Sequence, residues 1–199
     1  MLGGSHDGTY STVRGLYDAS GGQPVGGLNF DAHADVKDKL VISSGTPFGK
    51  LLREGFLAGS WFTEIGLHSN LNTLEDIDFL QQQAAHIVPL AHVQKDGMEP
   101  FVTRALQRAT REGPAFVSFD IDGCAEAYAP AVSAPSADGF TPRQAVEAAF
   151  LAGKQEQIRL FEVVELNPLY DRDNQTARLA ATIITAFITG VAASTAKSK

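Results

Sequence analysis

Two short motifs in the sequence place carboxylate and imidazole side chains at alternating positions. Asp31, His33 and Asp35 lie at every second residue of one segment, and Asp120 and Asp122 share this spacing in another. Each motif follows a short apolar run that is typical of a buried strand. Because alternate residues at a strand end point to the same side, each motif should bring its polar side chains together. If the two strands are neighbours in a parallel sheet, these side chains meet in the crevice beyond the carboxyl ends of the strands.

Such a cluster of carboxylates favours the binding of divalent cations. Unpaired carboxylates at one place repel one another, and most of them would have to take up protons. Divalent ions remove this repulsion, and a donor set of oxygens with some imidazole suits Mn²⁺. A single Asp after a strand usually belongs to a turn or a helix cap. The two motifs together nevertheless favour a metal site.

The composition indicates one globular domain over residues 1–199. With 16 basic and 23 acidic residues, the formal net charge is −7, which argues against nucleic acid as the main partner. The single cysteine, Cys124, excludes an internal disulfide and suits a reducing compartment. The sequence shows no signal peptide and no run of about 18 uncharged apolar residues. We therefore expect a cytoplasmic protein without a membrane partner.

Short apolar runs alternate with amphipathic segments, a pattern that predicts a three-layer α/β/α fold with a mainly parallel sheet. The predicted strands are 27–31, 61–67, 86–90, 115–121 and 158–166. The predicted helices are 48–57, 74–84, 99–112, 142–153 and 173–189. Thr141 and Gln144 form a capping-box pattern at the start of the fourth of these helices. The long loop 123–140 is expected to serve a functional role.

In three segments the sequence resembles the ureohydrolases, the family that includes arginase, agmatinase and formimidoylglutamase. Gly3–His6 matches the pattern Gly-Gly-x-His, Asp31–Asp35 matches Asp-Ala-His-x-Asp, and Ser118–Asp122 matches Ser-x-Asp-x-Asp, in the family's order. The resemblance implies an arginase-like α/β fold and a pair of Mn²⁺ ions in each chain. One ion would be held by His6, Asp31, Asp35 and Asp120. The other would be held by Asp31, His33, Asp120 and Asp122.

Further segments narrow the resemblance to formimidoylglutamase. Ser43–Phe48 and Glu165–Pro168 are similar to that group, and arginases carry a histidine at the position of Phe48. The resemblance implies Mn²⁺-dependent hydrolysis of N-formimino-L-glutamate to L-glutamate and formamide, a step of histidine breakdown. Asp35 would hold the attacking water and pass its proton to the leaving nitrogen. Glu165 would bind the cationic end of the substrate.

Two further residues are candidates for binding the small amidine substrate. Ser44 matches a family serine that lines the pocket. Lys37 is a candidate partner for a substrate carboxylate, although a mixed charge run such as 37–39 is more commonly a solvated loop. His68 follows a predicted strand and is a weaker candidate to face the site. Cys124 has no base beside it in the sequence and is expected to pack in the core.

The chain departs from the family at its beginning. The first motif starts at Gly3, which leaves no room for the strand that precedes this motif in the family. We therefore expect a domain that lacks the N-terminal strands of the family, with the strand 158–166 on an exposed edge. His6 would then be the least supported ligand, and its Mn²⁺ would bind more weakly than the other ion. Family topology predicts the strand order fifth-fourth-first-second-third.

Three other functions remain open on the sequence alone. An agmatinase-like enzyme would use the same chemistry on a guanidino compound. A shortened chain could also be non-catalytic or depend on a partner chain, although every ligand residue that the family motifs contain is present. A metal-dependent deacetylase would share the architecture, but its single-metal pattern does not match the motifs. A homo-oligomer is expected, because members of the family often form trimers or hexamers.

Overall fold

The computed structural model describes residues 3–196 as an α/β fold built on one parallel sheet. The strands are β1 (Val25–Phe30), β2 (Leu57–Leu67), β3 (His86–Pro89), β4 (Ala115–Asp120) and β5 (Ile158–Val164). The helices are α1 (Gly8–Ala19), α2 (Pro47–Arg53), α3 (Leu74–Gln82), α4 (Leu90–Asp96), α5 (Glu99–Ala109), α6 (Pro142–Gly153) and α7 (Gln175–Thr195). The strand order β3-β2-β1-β4-β5 confirms the predicted topology.

All five predicted strands are present, but two helices, α1 and α4, were not predicted. Val13 of α1 is buried, and Tyr10 and Tyr17 pack partly buried beside it at the spacing of one helix face, so the sequence contains a helical pattern here that was overlooked. α4 is short and follows β3 directly, and the predicted strand 86–90 includes its first residue, Leu90. β2 begins earlier than predicted, at Leu57, and α2 ends earlier, at Arg53.

Apolar side chains from alternate strand positions form a core on each face of the sheet. Leu28 and Phe30 of β1 pack on the face that α4, α5, α6 and α7 cover. Phe62 of β2 and Phe116 of β4 pack around Phe48 on the face that α1, α2 and α3 cover. Every residue of β1 and β4 is buried, as expected for central strands covered on both faces. This is the predicted three-layer architecture.

Two helices begin with a capping box, and each box ends a loop that reaches the candidate site. Thr141 and Gln144 form the predicted box at the start of α6. Thr73 and Asp76 form a second box at the start of α3, which the sequence analysis did not identify. In a capping box, each side chain accepts a hydrogen bond from the backbone of the other residue, so the loop has a defined end point.

The outer edge of β5 is less exposed than the sequence predicts. The Gly3 N–H donates to the Val163 carbonyl (2.8 Å), and the Glu165 N–H donates to the Gly4 carbonyl (2.9 Å). The φ angles of the two glycines are 78° and 90°, a conformation that glycine adopts without strain. The prediction of a bare edge is therefore wrong at the carboxyl end of β5, where this segment leads into His6.

α7 is longer and more apolar than predicted. It has 21 residues, and an 18-residue window reaches a mean hydropathy of 1.5, so by length and composition alone it could cross a membrane. The prediction that no such stretch exists was therefore wrong. One helix of this kind is weak evidence for a membrane span, because core helices of soluble proteins meet the same criterion. Leu179, Ile183 and Gly190 are buried on one side of α7, and the helix packs against α6.

Candidate metal centre

Ordinary strand pairing brings the two acidic motifs together. β1 and β4 are neighbours in the sheet, and Phe30 pairs with Phe119, so Asp31 and Asp120 follow side by side. The Asp31 N–H donates to the Ile65 carbonyl (3.0 Å), which continues the pairing of β1 with β2 by one residue. The two motifs therefore meet at the carboxyl ends of parallel strands, as predicted.

His6 reaches this place from the segment before α1, and its side chain is fully buried. Its Nδ1 lies 3.3 Å from an Asp31 carboxylate oxygen and 2.9 Å from one of Asp35. The same nitrogen lies 3.0 Å from a carboxylate oxygen of Asp120. These four side chains form the first possible set of metal ligands, which we call the His6 group.

Three contacts outside this group hold His6 in place. Its backbone N–H donates to Glu165 Oε1 (2.7 Å). Its Nε2 lies 3.0 Å from Ser118 Oγ, and its ring packs edge-on against Phe48 with 5.1 Å between the ring centroids. His6 is also more enclosed than His33, whose side chain is 26% exposed, so the expectation that His6 is the least supported ligand is wrong. The weaker affinity of its metal stays a prediction.

A second set of possible ligands, which we call the His33 group, consists of Asp31, His33 and Asp122. The His33 Nδ1 lies 3.5 Å from Asp31 Oδ1 and 3.3 Å from Asp122 Oδ2. Asp31 belongs to both groups, as a bridging carboxylate would. Asp120, which the resemblance also implies as a bridge, lies with the His6 group.

Two carboxylates at the site sit on strained backbone. Asp35 has a φ of 51° and Glu165 a φ of 67°, both in the left-handed region that non-glycine residues rarely adopt. Strain of this kind costs on the order of 1–3 kcal/mol per residue and persists only where the surrounding structure enforces it. Both residues are the ones to which the sequence assigns catalytic roles.

Burial and crowding raise the pKa values of most carboxyl groups in the cluster. Burial, with the nearby Asp31 charge, raises the pKa of Asp35 to about 6. The same causes raise the pKa of Asp122 to about 7. Burial, followed by the charges of Asp122 and Asp31, places the pKa of Asp120 well above its usual range.

The pKa values of the two histidines are also raised, by contact with their acidic neighbours. Contacts with Asp122 and Asp31 raise the pKa of His33 to about 11. Burial alone would lower the pKa of His6, but its contacts with the carboxylates outweigh burial and raise it well above the usual value. Burial opposes ionisation of Asp31 too, yet its contacts with His33 and His6 lower its pKa. The cluster therefore attracts positive charge, which protons or a divalent cation can supply.

The atoms of the cluster fit a pair of Mn²⁺ ions. His6 Nδ1 and Asp122 Oδ1 are buried and have no hydrogen-bond partner. Buried polar atoms rarely remain unpartnered unless an ion or water serves them. Carboxylate oxygens with imidazole nitrogens are also a donor set that suits Mn²⁺ better than soft-ligand metals.

A cavity of about 440 Å³ opens above the cluster. Asp35, Asp120, Asp122 and His33 line its floor, and the predicted substrate residues Ser44, Lys37 and Glu165 line it as well. The Glu165 carboxylate is held there because its Oε2 accepts a hydrogen bond from Ser133 Oγ (3.1 Å) and its Oε1 accepts the His6 N–H. The predicted site residues therefore lie together: all but His6 and Asp31 line this cavity, and those two are buried against the residues of its floor.

Lys37 has a neighbour that the sequence did not reveal. Its ammonium group donates to a carboxylate oxygen of Asp76, the residue that caps α3. Lys37 therefore lines the cavity as part of an ion pair. The Asp76 carboxylate partly neutralises the Lys37 charge, so the pair attracts a substrate carboxylate less strongly than an isolated lysine does.

Sequence reasoning missed a polar pair behind the cluster. The Asn29 side-chain amide donates to Asp31 Oδ2 (3.1 Å) and to Glu64 Oε2 (2.9 Å). Glu64 is fully buried in β2, and burial, with the Asp31 charge, raises its pKa well above the usual value. A glutamate inside an apolar run was a signal in the sequence for such a buried role.

His68 and Cys124 belong to neither metal group. His68 lines a separate cavity of about 510 Å³, and its Nδ1 lies 3.3 Å from Ser136 Oγ. Burial lowers its pKa. Cys124 is a free, buried thiol whose pKa burial raises far above its usual value, so it packs as predicted.

Comparison with known proteins agrees with this geometry. Residues 1–190 match the model of the arginase family. Over 187 residues, the chain is 33% identical to the mitochondrial agmatinase of Gallus gallus, covering 92% of this chain and 54% of that protein. It is 28% identical to a formimidoylglutamase of Staphylococcus aureus, covering 94% of this chain and 60% of that protein.

A solved structure shows the same fold. The formiminoglutamase of Trypanosoma cruzi, solved with Mn²⁺, superposes with a TM-score of 0.90 at 30% identity. The match covers 96% of this chain and 64% of that one. The chain therefore spans little more than half the length of the curated relatives it matches. With its metal-ligand motifs, its sheet topology and a family match over nearly its whole length, this chain belongs to the arginase family.

Proposed function

We propose that this chain hydrolyses a C–N bond of a linear amidine with two Mn²⁺ ions, and that N-formimino-L-glutamate is its substrate. The observation that carries the proposal is the pair of ligand groups that share the buried Asp31 and lie at a cavity whose wall contains Glu165. The products would be L-glutamate and formamide. The relatives named above are hydrolases of this chemical kind, which supports the proposal.

The residues of the cavity have separable roles. The His6 group and the His33 group would hold the ions, which when bound lower the pKa of water and supply a nucleophile at neutral pH. Asp35 lines the cavity beside these groups and is placed to hold the attacking water and move its proton to the leaving nitrogen. Glu165 offers a carboxylate to the amidinium end of the substrate. Ser44 offers a hydroxyl from the wall.

The far end of the substrate decides the choice within the family. N-formimino-L-glutamate carries two carboxylates at that end, and Lys37 and Lys39 line the cavity. This favours a dianionic tail over the cationic tail of agmatine. The pairing of Lys37 with Asp76 favours the second candidate, a guanidino compound, because it lowers the net positive charge of the wall.

The direct test is to load the purified chain with Mn²⁺ and measure glutamate release from N-formimino-L-glutamate, with agmatine and arginine as comparison substrates. Release from the first compound alone supports the proposal. Turnover of a guanidino compound instead overturns the substrate and keeps the chemistry.

A variant controls for the metal. Asp120→Ala should lose metal binding and turnover together, because Asp120 contacts His6 in the His6 group. Turnover that survives the loss of metal would overturn the proposed mechanism. Absence of turnover in a metal-loaded, folded wild-type chain would favour the alternative that the chain is non-catalytic or needs a partner.

A further inference from the structure

A buried glutamate outside both metal groups is connected to His6. Glu162 of β5 is fully buried and stands opposite Ser118 of β4 in the strand register. Its Oε1 accepts hydrogen bonds from Ser118 Oγ (2.9 Å) and from the Thr9 hydroxyl. Its Oε2 accepts one from Thr12 Oγ1 (2.8 Å). A buried carboxylate on the edge strand is thus surrounded by donors from β4 and α1.

These hydrogen bonds determine which atom donates in the contact between His6 Nε2 and Ser118 Oγ. A serine hydroxyl has one proton, and a carboxylate can only accept. Because Ser118 gives its proton to Glu162, its oxygen must accept the hydrogen bond from His6 Nε2, which lies 3.0 Å away. The proton of a neutral His6 ring therefore belongs on Nε2, and Nδ1 keeps its lone pair.

The Nδ1 atom is the one that faces the metal site. It is buried, lies close to three carboxylates of the His6 group, and has no hydrogen-bond partner. With the opposite tautomer, a proton on Nδ1 would bond to those carboxylates and compete with a cation for the same place. The direction of the Ser118 hydroxyl therefore bears on cation binding.

We propose that Glu162 is a positioning residue for the metal centre, acting through Ser118 to hold the His6 proton on Nε2 and to present the Nδ1 lone pair to the cation of the His6 group. This inference rests on the proposed function, since it concerns the same cation. It predicts an effect on one ion only, because His33 is bonded neither to Ser118 nor to Glu162 among the contacts of the described residues.

Thr12 separates this role from a purely structural one. Glu162 also links α1 to β5 by hydrogen bonds. The Thr12 hydroxyl donates to Glu162 Oε2, whereas Ser118 donates to Oε1. Replacing Thr12 therefore weakens the packing of α1 without touching the bonds from Ser118 and His6. If Glu162 were only structural, replacing either residue would have the same kind of effect on metal binding.

The test is calorimetric titration of the metal-free chain with Mn²⁺, with circular dichroism to show that each variant is folded. Glu162→Met has a similar length and no acceptor oxygen, so it frees the Ser118 proton to point at His6. We expect about 10- to 100-fold weaker binding of one ion, the usual effect of losing an outer partner of a ligand. Binding of the other ion should be unchanged.

Two matched variants complete the design. Thr12→Val should leave both affinities within about twofold of the wild type, because it spares the bonds that orient His6. Glu162→Gln keeps an amide oxygen that can accept from Ser118, so it should recover most of the lost affinity. If Glu162→Met fails to fold, Glu162→Gln and Ser118→Ala still test the positioning role, because Ser118→Ala should weaken the binding of the same single ion.

The outcomes distinguish this inference from the proposed function. Equal weakening of both ions by Glu162→Met, no weakening of either, or the same losses in Thr12→Val would overturn the positioning role and leave the metal proposal intact. A second check is the double variant Ser118→Ala/Glu162→Met. It should bind the ion as weakly as the weaker single variant, and additive losses would contradict a shared path. A wild-type chain that binds no Mn²⁺ would overturn both proposals.

Discussion

Asp35 and Glu165 show how one residue type serves different purposes at this site. Both are carboxylates on left-handed backbone, Glu165 directly after β5 and Asp35 in the loop after β1. Asp35 faces His6 in the ligand group, whereas Glu165 is held between the His6 N–H and Ser133 and leaves the cavity side of its carboxylate for a ligand. The strain at both positions indicates that the surrounding fold enforces where they point.

The role of Glu165 can be tested by removing its charge. We expect Glu165→Gln to raise KM for the amidine substrate about 10- to 100-fold, because a charge-assisted hydrogen bond contributes roughly 1.5–3 kcal/mol. The glutamine keeps an oxygen for the His6 N–H, so Mn²⁺ affinity should not change. Steady-state kinetics with calorimetric metal titration measure both quantities. An unchanged KM would remove Glu165 from substrate binding.

At the scale of elements, α3 is linked to the site through its first turn. Asp76 accepts hydrogen bonds from Thr73 N–H (2.9 Å) and from Thr73 Oγ1 (2.8 Å), and it also pairs with Lys37. Burial opposes ionisation of Asp76, but the Lys37 and Thr73 hydrogen bonds outweigh burial and lower its pKa. The cap of α3 thereby holds a charged residue of the cavity wall.

This lowered pKa predicts a pH dependence of stability. A carboxyl group whose pKa is lower in the folded state stabilises the fold fully above its unfolded pKa of about 3.9, and the contribution is lost as pH falls through the folded value. We expect Asp76→Asn to lower the free energy of unfolding by about 1 kcal/mol at pH 7, since Lys37 is partly exposed. The difference should shrink below about pH 4 in urea titrations. Asp78→Asn, at an exposed position of the same helix, is the control and should show little difference at any pH.

The close packing of α6 against α7 leads to a second prediction about the elements. A Cβ at Gly190 would lie 2.3 Å from the Phe150 carbonyl oxygen, so Gly190→Ala should push the helices apart and destabilise the fold by about 1–3 kcal/mol. A Cβ at Gly15 in α1 would meet no atom within 4 Å. Gly15→Ala should therefore stabilise by about 0.5–1 kcal/mol through helix propensity. Chemical denaturation measures both, and equal signs would contradict the packing argument.

At the scale of the whole molecule, the metal site joins segments that are distant in the sequence. His6 comes from before α1, Asp31 follows β1, and Asp120 ends β4. Bound ions would therefore connect the N-terminal segment to the centre of the sheet. The homo-oligomer and the weaker binding of the His6-group ion stay predictions.

Metal binding should consequently stabilise the entire fold. A ligand that binds only the folded state at 100 times its Kd adds about 2.7 kcal/mol, which for a chain of this size raises Tm by roughly 5–10 °C. Differential scanning calorimetry with Mn²⁺ and then with EDTA measures the shift. Asp31→Asn should lose it, because Asp31 belongs to both ligand groups. A Tm that is insensitive to Mn²⁺ in the wild type would contradict a metal site that spans the fold.

Part of the candidate site was predictable because Asp31 and Asp120 stand at strand ends, and strand positions can be recognised from local sequence. Strand alternation does not place the other ligands: His33 and Asp35 lie in irregular backbone after β1, and Asp122 lies in a short 3-10 turn, so the packing of the loops brings them to the site. Lys37 shows the limit of this reasoning. Its ion pair with Asp76 joins residues 39 positions apart, and no local pattern announces such a contact.

By itself, the sequence determined the fold class, the strand order through family resemblance, and the residue types of the metal site. Tertiary structure decided that the Gly3–Gly4 segment lies on β5, that His6 is enclosed, and that Asp31 is the residue common to both ligand groups. It also decided that Glu162 meets Ser118 and two threonines of α1. The physical reason is that motifs and periodicity depend on neighbours in the chain. Burial, hydrogen-bond direction and pKa values depend instead on which distant segments the fold packs together.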